Sequence, residues 1–141
     1  MENIKIKETK NYLMRYKKNM SCIRRLEKKL EILDKRLKSP RTTNLSGMPR
    51  GGVPVTIADL VADKENLERR IQRLKTKGAN LKSEVLEEID KLNDSRYIGV
   101  LEAFFIDDLS LEIIAENEGY TVRHIYRLYS EAVNIIAKTR Q

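Results

Sequence analysis

The chain contains no tryptophan, one cysteine and one histidine in 141 residues. The lone Cys22 excludes an internal disulfide, and a single histidine excludes a paired cysteine–histidine zinc set. Aromatic residues make up only 6% of the chain, thin material for one compact core. Helical rods with narrow apolar seams fit that composition better. There is no run of about 18 apolar residues to span a membrane, and the charged N-terminus lacks a signal-like apolar run. The expectation is a soluble, cytoplasmic protein without membrane contact.

Catalytic patterns are missing as well. Neither Gly-x-Gly-x-x-Gly nor Gly-Lys-Ser/Thr occurs, so the glycines do not form a nucleotide loop. No serine or cysteine elbow exists, His124 has no nucleophile or acid partner, and Glu112, Glu116 and Glu118 read as helix-surface carboxylates. Asp107-Asp108 has no third carboxylate or histidine at ligand spacing and reads as a surface turn. The reading is of a protein that is not an enzyme and takes neither cofactor nor metal.

What the chain does have is charge, unevenly placed. The net charge is +7. Residues 1–38 carry 13 Lys/Arg against 5 Asp/Glu, a net of +8. Residues 94–120 carry Arg96 against 7 acids, a net of −6, and residues 121–141 carry 4 basic residues against Glu131, a net of +3. A basic arm and a basic C-terminal segment separated by an acidic scaffold suit a polyanion that touches only some faces. For the arm alone, a merely solvated lysine-rich helix explains the charge equally well.

From about Asn3 to Lys38 the residues Leu13, Tyr16, Met20, Ile23, Leu26, Leu30, Leu33 and Leu37 recur at spacings of three and four. That is a coiled-coil-like seam. Between them Lys17, Lys18, Arg24 and Arg25 are candidate phosphate contacts. Ser39-Pro40 ends the helix. A flexible loop over 39–56 follows, containing Gly47, Pro49, Gly51, Gly52 and Pro54. Its Arg41 and Arg50 are candidate phosphate contacts of a minor-groove arm; the segment could equally hold partner-protein contacts, and composition favours a plain linker. Thr56 can cap a second long helix, to about Leu92, with Leu60, Leu67, Ile71, Leu74, Leu81, Val85 and Leu92 in a heptad pattern. Lys64, Gly78 and Glu88 interrupt that pattern, and Gly78 is a candidate kink. An antiparallel helical hairpin buries both seams most simply, and pairing between two copies would do so too.

Asp94 or Ser95 begins a third helix with Tyr97, Val100, Leu101, Phe104 and Phe105 on one face. Tyr97 is a base-stacking candidate, but it shares a face with Leu101 and Phe104, which favours the core. Ser110 can then cap a short helix with Leu111, Ile114 and Ala115 inward, and Gly119 can stop it in a left-handed conformation. Thr121 is a cap candidate for a last helix that turns Val122, Ile125, Leu128, Ala132, Ile135 and Ile136 to one side. Arg123, His124, Tyr126, Arg127 and Ser130 remain on the other. Arg123 and Arg127, four apart, share a face, and arginine forks match guanine or phosphate. His124 is equally a base or phosphate contact and a half-buried residue at the domain edge.

The pattern Leu-Ser-Leu-Glu-x-Ile-Ala from Leu109, then Gly119-x-Thr121, then Ile125 and Ala132 seven apart, resembles region four of bacterial sigma factors. Ile113 stands where that pattern usually has a glutamate, and Glu118 where it usually has an apolar residue. With the helical N-terminal part, the layout looks like the phage-encoded transcriptional regulators of the RinA/ArpU type. The motif covers about the last third of the chain. The resemblance implies a helix-turn-helix that places Val122, Arg123, Tyr126 and Arg127 toward promoter DNA, with Thr121 meeting the backbone. It also implies activation of phage or prophage late genes and contact with RNA polymerase.

The expected fold is all-α: a helical hairpin or coiled coil over 1–93, then a sigma-region-four-like helix-turn-helix domain over 94–141. The expected DNA-binding residues are Thr121, Val122, Arg123, His124, Tyr126, Arg127 and Ser130, with Arg41, Arg50, Lys17 and Lys18 as phosphate contacts. The expected partner is double-stranded DNA, bound by a homo-oligomer, preferably a dimer reading paired half-sites. Two competing functions remain at this level. One is a small-terminase-like DNA-packaging subunit, which would form a ring. The other is a coiled-coil adaptor, which would have no salt-dependent DNA affinity.

Overall fold

The computed structural model describes residues 2–38 and 56–140, with side chains from residue 4 onward. The described secondary structure is entirely helical: α1 (Glu2–Lys38), α2 (Ile57–Asp90), α3 (Ser95–Phe105), α4 (Leu111–Glu118) and α5 (Val122–Thr139). The all-α reading holds. None of the described helices is long and apolar enough to cross a membrane. The expected linker, apart from Thr56, lies outside the described residues, and Arg41 and Arg50 lie there with it.

Local chemistry sets the helix starts. Thr56 Oγ1 accepts the Asp59 backbone N–H at 3.1 Å, while Asp59 Oδ2 accepts that of Thr56 at 3.1 Å. This reciprocal pair satisfies two donors that would otherwise have no helical partner. Asp94 caps α3, accepting the Arg96 backbone N–H at 2.9 Å and pairing with its guanidinium. Its carboxyl lies below the usual carboxylate range because the Arg96 side chain and backbone both donate to it.

The chain forms two compact units. One comprises the described residues within Met20–Lys77, where α1 and α2 run antiparallel: Asp34 meets Lys64 at 2.9 Å and Glu27 meets Lys75 at 3.5 Å. Its core is slim, with Ile23, Leu26 and Ile71 buried and Leu30, Leu67 and Leu74 packed beside them. The other comprises the described residues within Met1–Asn19 and Gly78–Gln141. Here Leu13 of α1, Val85 and Ile89 of α2, and Leu92 just past the end of α2 share a core with Leu101, Phe105, Ala132, Val133 and Ile136. The units therefore do not divide between residues 93 and 94, as expected from the sequence. The reason is the second half of α5, whose apolar face is closed by the ends of α1 and α2.

Among the described residues three polar positions are buried: Thr9, Asn19 and Glu88. Thr9 returns its hydroxyl to the Lys5 carbonyl at 2.8 Å. Glu88 accepts from Lys91 at 2.5 Å and lies 3.6 Å from the Arg140 guanidinium. That guanidinium also stacks 3.8 Å from the Tyr12 ring centroid, beside Arg15 at 3.9 Å. Glu88 thus occupies a seam position without the cost of an unpaired buried carboxylate.

Gly78 does not break α2, which is continuous from Ile57 to Asp90. Instead it lets α1 approach closely: a Cβ there would stand 2.8 Å from Asn19 Nδ2. Gly78→Ala should therefore forfeit the roughly 1 kcal/mol that alanine normally adds to a helix interior. Paired with Asn19→Ala, it should recover about that amount. Chemical denaturation of the four proteins of this double-mutant cycle checks the coupling, which should exceed about 0.5 kcal/mol.

Tyr97 and Tyr129 supply a pH dependence. The Tyr97 hydroxyl donates to Glu131 at 3.0 Å, which with partial burial raises its pKa, and burial alone raises that of Tyr129. Both folded values exceed the unfolded one, so their contribution is complete below about pH 10 and is lost as pH rises through the raised values. Denaturant midpoints should fall in that alkaline window. The fall should be smaller in Tyr97→Phe/Tyr129→Phe than in the parent.

Candidate nucleic-acid interface

The candidate interface consists of α4, a turn and α5. Ser110 Oγ accepts the Ile113 backbone N–H at 3.2 Å and starts α4. Gly119 stops that helix at φ 72° and ψ 24°, its N–H directed at the Ala115 and Glu116 carbonyls. The Tyr120 N–H returns to Ala115 O at 3.0 Å, closing the last turn. A side chain at that φ would be strained, which is why glycine sits there. Thr121 Oγ1 then accepts the His124 N–H at 3.1 Å and opens α5. Every cap read from the sequence is in place.

Packing fixes which side of α5 faces outward. Ile125 and Leu128 are buried against Leu111, Ile114 and Ala115 of α4 and Val100 of α3. Farther along, Ala132, Val133 and Ile136 join the core shared with α1 and α2. Tyr129 bridges the two cores, meeting Phe104 edge-on at 5.2 Å and stacking on Phe105 at 5.9 Å between centroids.

Thr121, Arg123, Tyr126, Arg127 and Ser130 are all exposed. Arg123 and Arg127 form no ion pair with any described residue, so both forks are available to an external anion or base edge. Their four-residue spacing keeps them on one face. His124 is half-buried, its ring 4.8 Å from that of Tyr120 in an edge-on contact.

Two apolar expectations for α5 need correction. Val122 and Ile135, read as inward, are 39% and 38% exposed, whereas Val133 and Ala137 are buried. Cover from α1 and α2 turns the buried arc toward Val133 and away from Ile135, and no described residue covers the first turn beside Val122. Exposure agrees with the other expectation for Val122, that it faces outward with Arg123.

The remaining candidates separate. Lys17 is only 20% exposed, its ammonium 3.5 Å above the Phe104 ring and 3.7 Å from Asp108. It is occupied within the fold. Asp108 sits in the surface turn expected for it, at φ 60°. Lys18 is exposed. Among the described residues no group of three His, Cys, Asp or Glu could hold a metal ion.

Sequence reasoning passed over Tyr120, which is 42% exposed between the α4 stop and the α5 cap. Its signal was positional: a residue between a C-terminal glycine and an N-cap belongs to neither helix face. With Tyr126 at 49% exposure, it puts aromatic surface beside the arginines. The α4 surface, by contrast, is acidic, with Glu112, Glu116 and Glu118 all exposed.

The turn geometry has a direct test. Thr121→Ala should destabilise by about 1 kcal/mol, and Thr121→Ser should restore most of the loss. Gly119→Ala should cost about 1–2 kcal/mol because the left-handed φ is kept. Denaturant unfolding of each variant measures both.

Comparisons of the chain with family models, with curated proteins and with solved structures found no match.

Proposed function

We propose that this protein binds double-stranded DNA in a sequence-specific manner through α5 and regulates transcription. The resemblance of residues 109–133 to sigma region four points to activation of phage or prophage late genes. The observation that carries the reading is the outer face of α5, where Arg123 and Arg127 have no ion-pair partner among the described residues, on a helix held by a capped, glycine-closed turn. A helix so held can enter a major groove with its first turns foremost. Arg123 and Arg127 would grip guanine edges or phosphates, Tyr126 and Val122 would meet thymine methyls or sugar, and Ser130 would donate to a phosphate. Two copies would read paired half-sites, and RNA polymerase is the proposed second partner.

One observation favours a protein-adaptor role instead. In helix-turn-helix complexes the first motif helix crosses the phosphate backbone, yet α4 exposes Glu112, Glu116 and Glu118. An adaptor would use the same face without any affinity for duplex DNA.

Selection from a random duplex library at about 0.15 M salt distinguishes the two. The expected result is one enriched motif that Arg123→Ala/Arg127→Ala fails to recover. Each arginine that reads a base should be worth about 1–3 kcal/mol, roughly tenfold or more in affinity. No enrichment, or the same motif from the double variant, would overturn the assignment of α5. A ring-shaped oligomer on a single extended site would point to DNA packaging.

A further inference from the structure

We propose that Lys10, with Lys7 one turn before it on α1, forms a phosphate-contact strip along one flank of α5. The inference rests on the DNA-binding reading above and adds to it the side from which the duplex backbone is held.

Three observations place the strip. The Lys10 ammonium lies 5.7 Å from the centroid of the Tyr129 ring, which puts this part of α1 beside α5. Tyr129 is three residues beyond Tyr126, so helical periodicity sets it on the Tyr126 edge of the exposed face. Lys10 therefore stands where the half-buried Tyr129 closes the core on the Tyr126 side of α5, with the arginines farther round the helix. Lys7 precedes it by three residues and shares its side of α1.

The two lysines are also available. Both are exposed, and neither makes an ion pair with a described residue. Contact with an aromatic face at 5.7 Å leaves the ammonium hydrated, with N–H donors free for an anion. Lys17, seven residues after Lys10, shows the alternative, being bound to Phe104 and Asp108.

Finally, the opposite edge of α5 is hostile to phosphate. His124, Leu128 and Glu131 mark that edge by their spacing, and Glu131 there accepts from Tyr97. The helix packed against Ile125 and Leu128 is α4, with its exposed Glu112, Glu116 and Glu118. A backbone approaching from the α4 side meets carboxylates, and one approaching from the α1 side meets lysines. Electrostatics selects the second approach.

The test measures affinity of the full chain for a selected duplex and for a scrambled one, between about 0.05 and 1 M salt. Removing one lysine–phosphate interaction should reduce the slope of log K against log salt by about 0.9, so Lys7→Ala/Lys10→Ala should lower it by about 1.8. At 0.1 M salt the same relation gives a drop in affinity of roughly tenfold per lysine, shrinking toward 1 M. The drop should be equal for both duplexes, and the selected motif should not change. Lys7→Arg/Lys10→Arg should retain the parental slope. Lys7→Gln/Lys10→Gln keeps most of both side-chain stems, that of residue 10 beside Tyr129 included, and replaces the alanine pair if that variant unfolds.

Unchanged slope and affinity, with Arg123→Ala/Arg127→Ala still defective, would overturn the strip and leave the reading of α5 intact. A changed motif in the lysine variants would mean that these residues read bases, which also overturns it. Absence of any duplex affinity in the parent would remove both proposals together.

Discussion

The fold turns on the double commitment of α5. Its first half is buried through Ile125 and Leu128 against α4 and α3, and its second half through Ala132, Val133 and Ile136 against α1, α2 and α3. Tyr129 lies between, in contact with both phenylalanines of α3. A helix with one core would be free to rotate until its broadest apolar face was covered. With two cores at different positions along its length, α5 has one orientation that serves both. That orientation leaves Arg123 and Arg127 outside, and costs Val122 and Ile135 their cover.

The legible parts of this arrangement were those determined by near neighbours in sequence. Ser110, Gly119 and Thr121 each act within four residues, through a side-chain oxygen or a positive φ, so their spacing alone identifies them. The seam residues of α2 were legible for the same reason, since a seven-residue repeat is local. The partition of the chain was not. Leu13 and Ile23 look alike in the seam of α1, yet one packs with α5 and the other with α2 in the separate unit. Nothing in a periodic pattern says which partner each turn will meet. Gly78 illustrates the same limit. Its low helix propensity suggests a break, but the deciding fact is Asn19, 59 residues away in sequence, at the distance where a Cβ would collide.

Buried polar groups were the other illegible class. Glu88 falls at a seam position and reads as an interruption, whereas in the structure Lys91 and Arg140 neutralise it. Arg140 in turn rests on Tyr12, so the end of the chain, the first turns of α1 and the last turns of α2 converge on one charged group. The arrangement holds because each member satisfies another. Glu88 is the buried member, so losing both cations would leave a carboxylate poorly solvated, a larger penalty than losing a surface ion pair.

Charge totals behave in the same way. Residues 1–38 carry a net +8, which suggests a uniformly basic arm. The structure sorts those cations by what lies beneath them. Lys17 is spent on Phe104 and Asp108, Arg15 on Glu84 and Tyr12, and Lys10 rests loosely at the edge of the α5 face. A polyanion responds only to charges that remain hydrated and uncompensated on the side it approaches. The acidic surface of α4 sharpens this choice, because repulsion on one flank of α5 makes modest attraction on the other decisive. The direction of any duplex across this face would therefore be set by a few free lysines and three carboxylates rather than by the net charge of the chain.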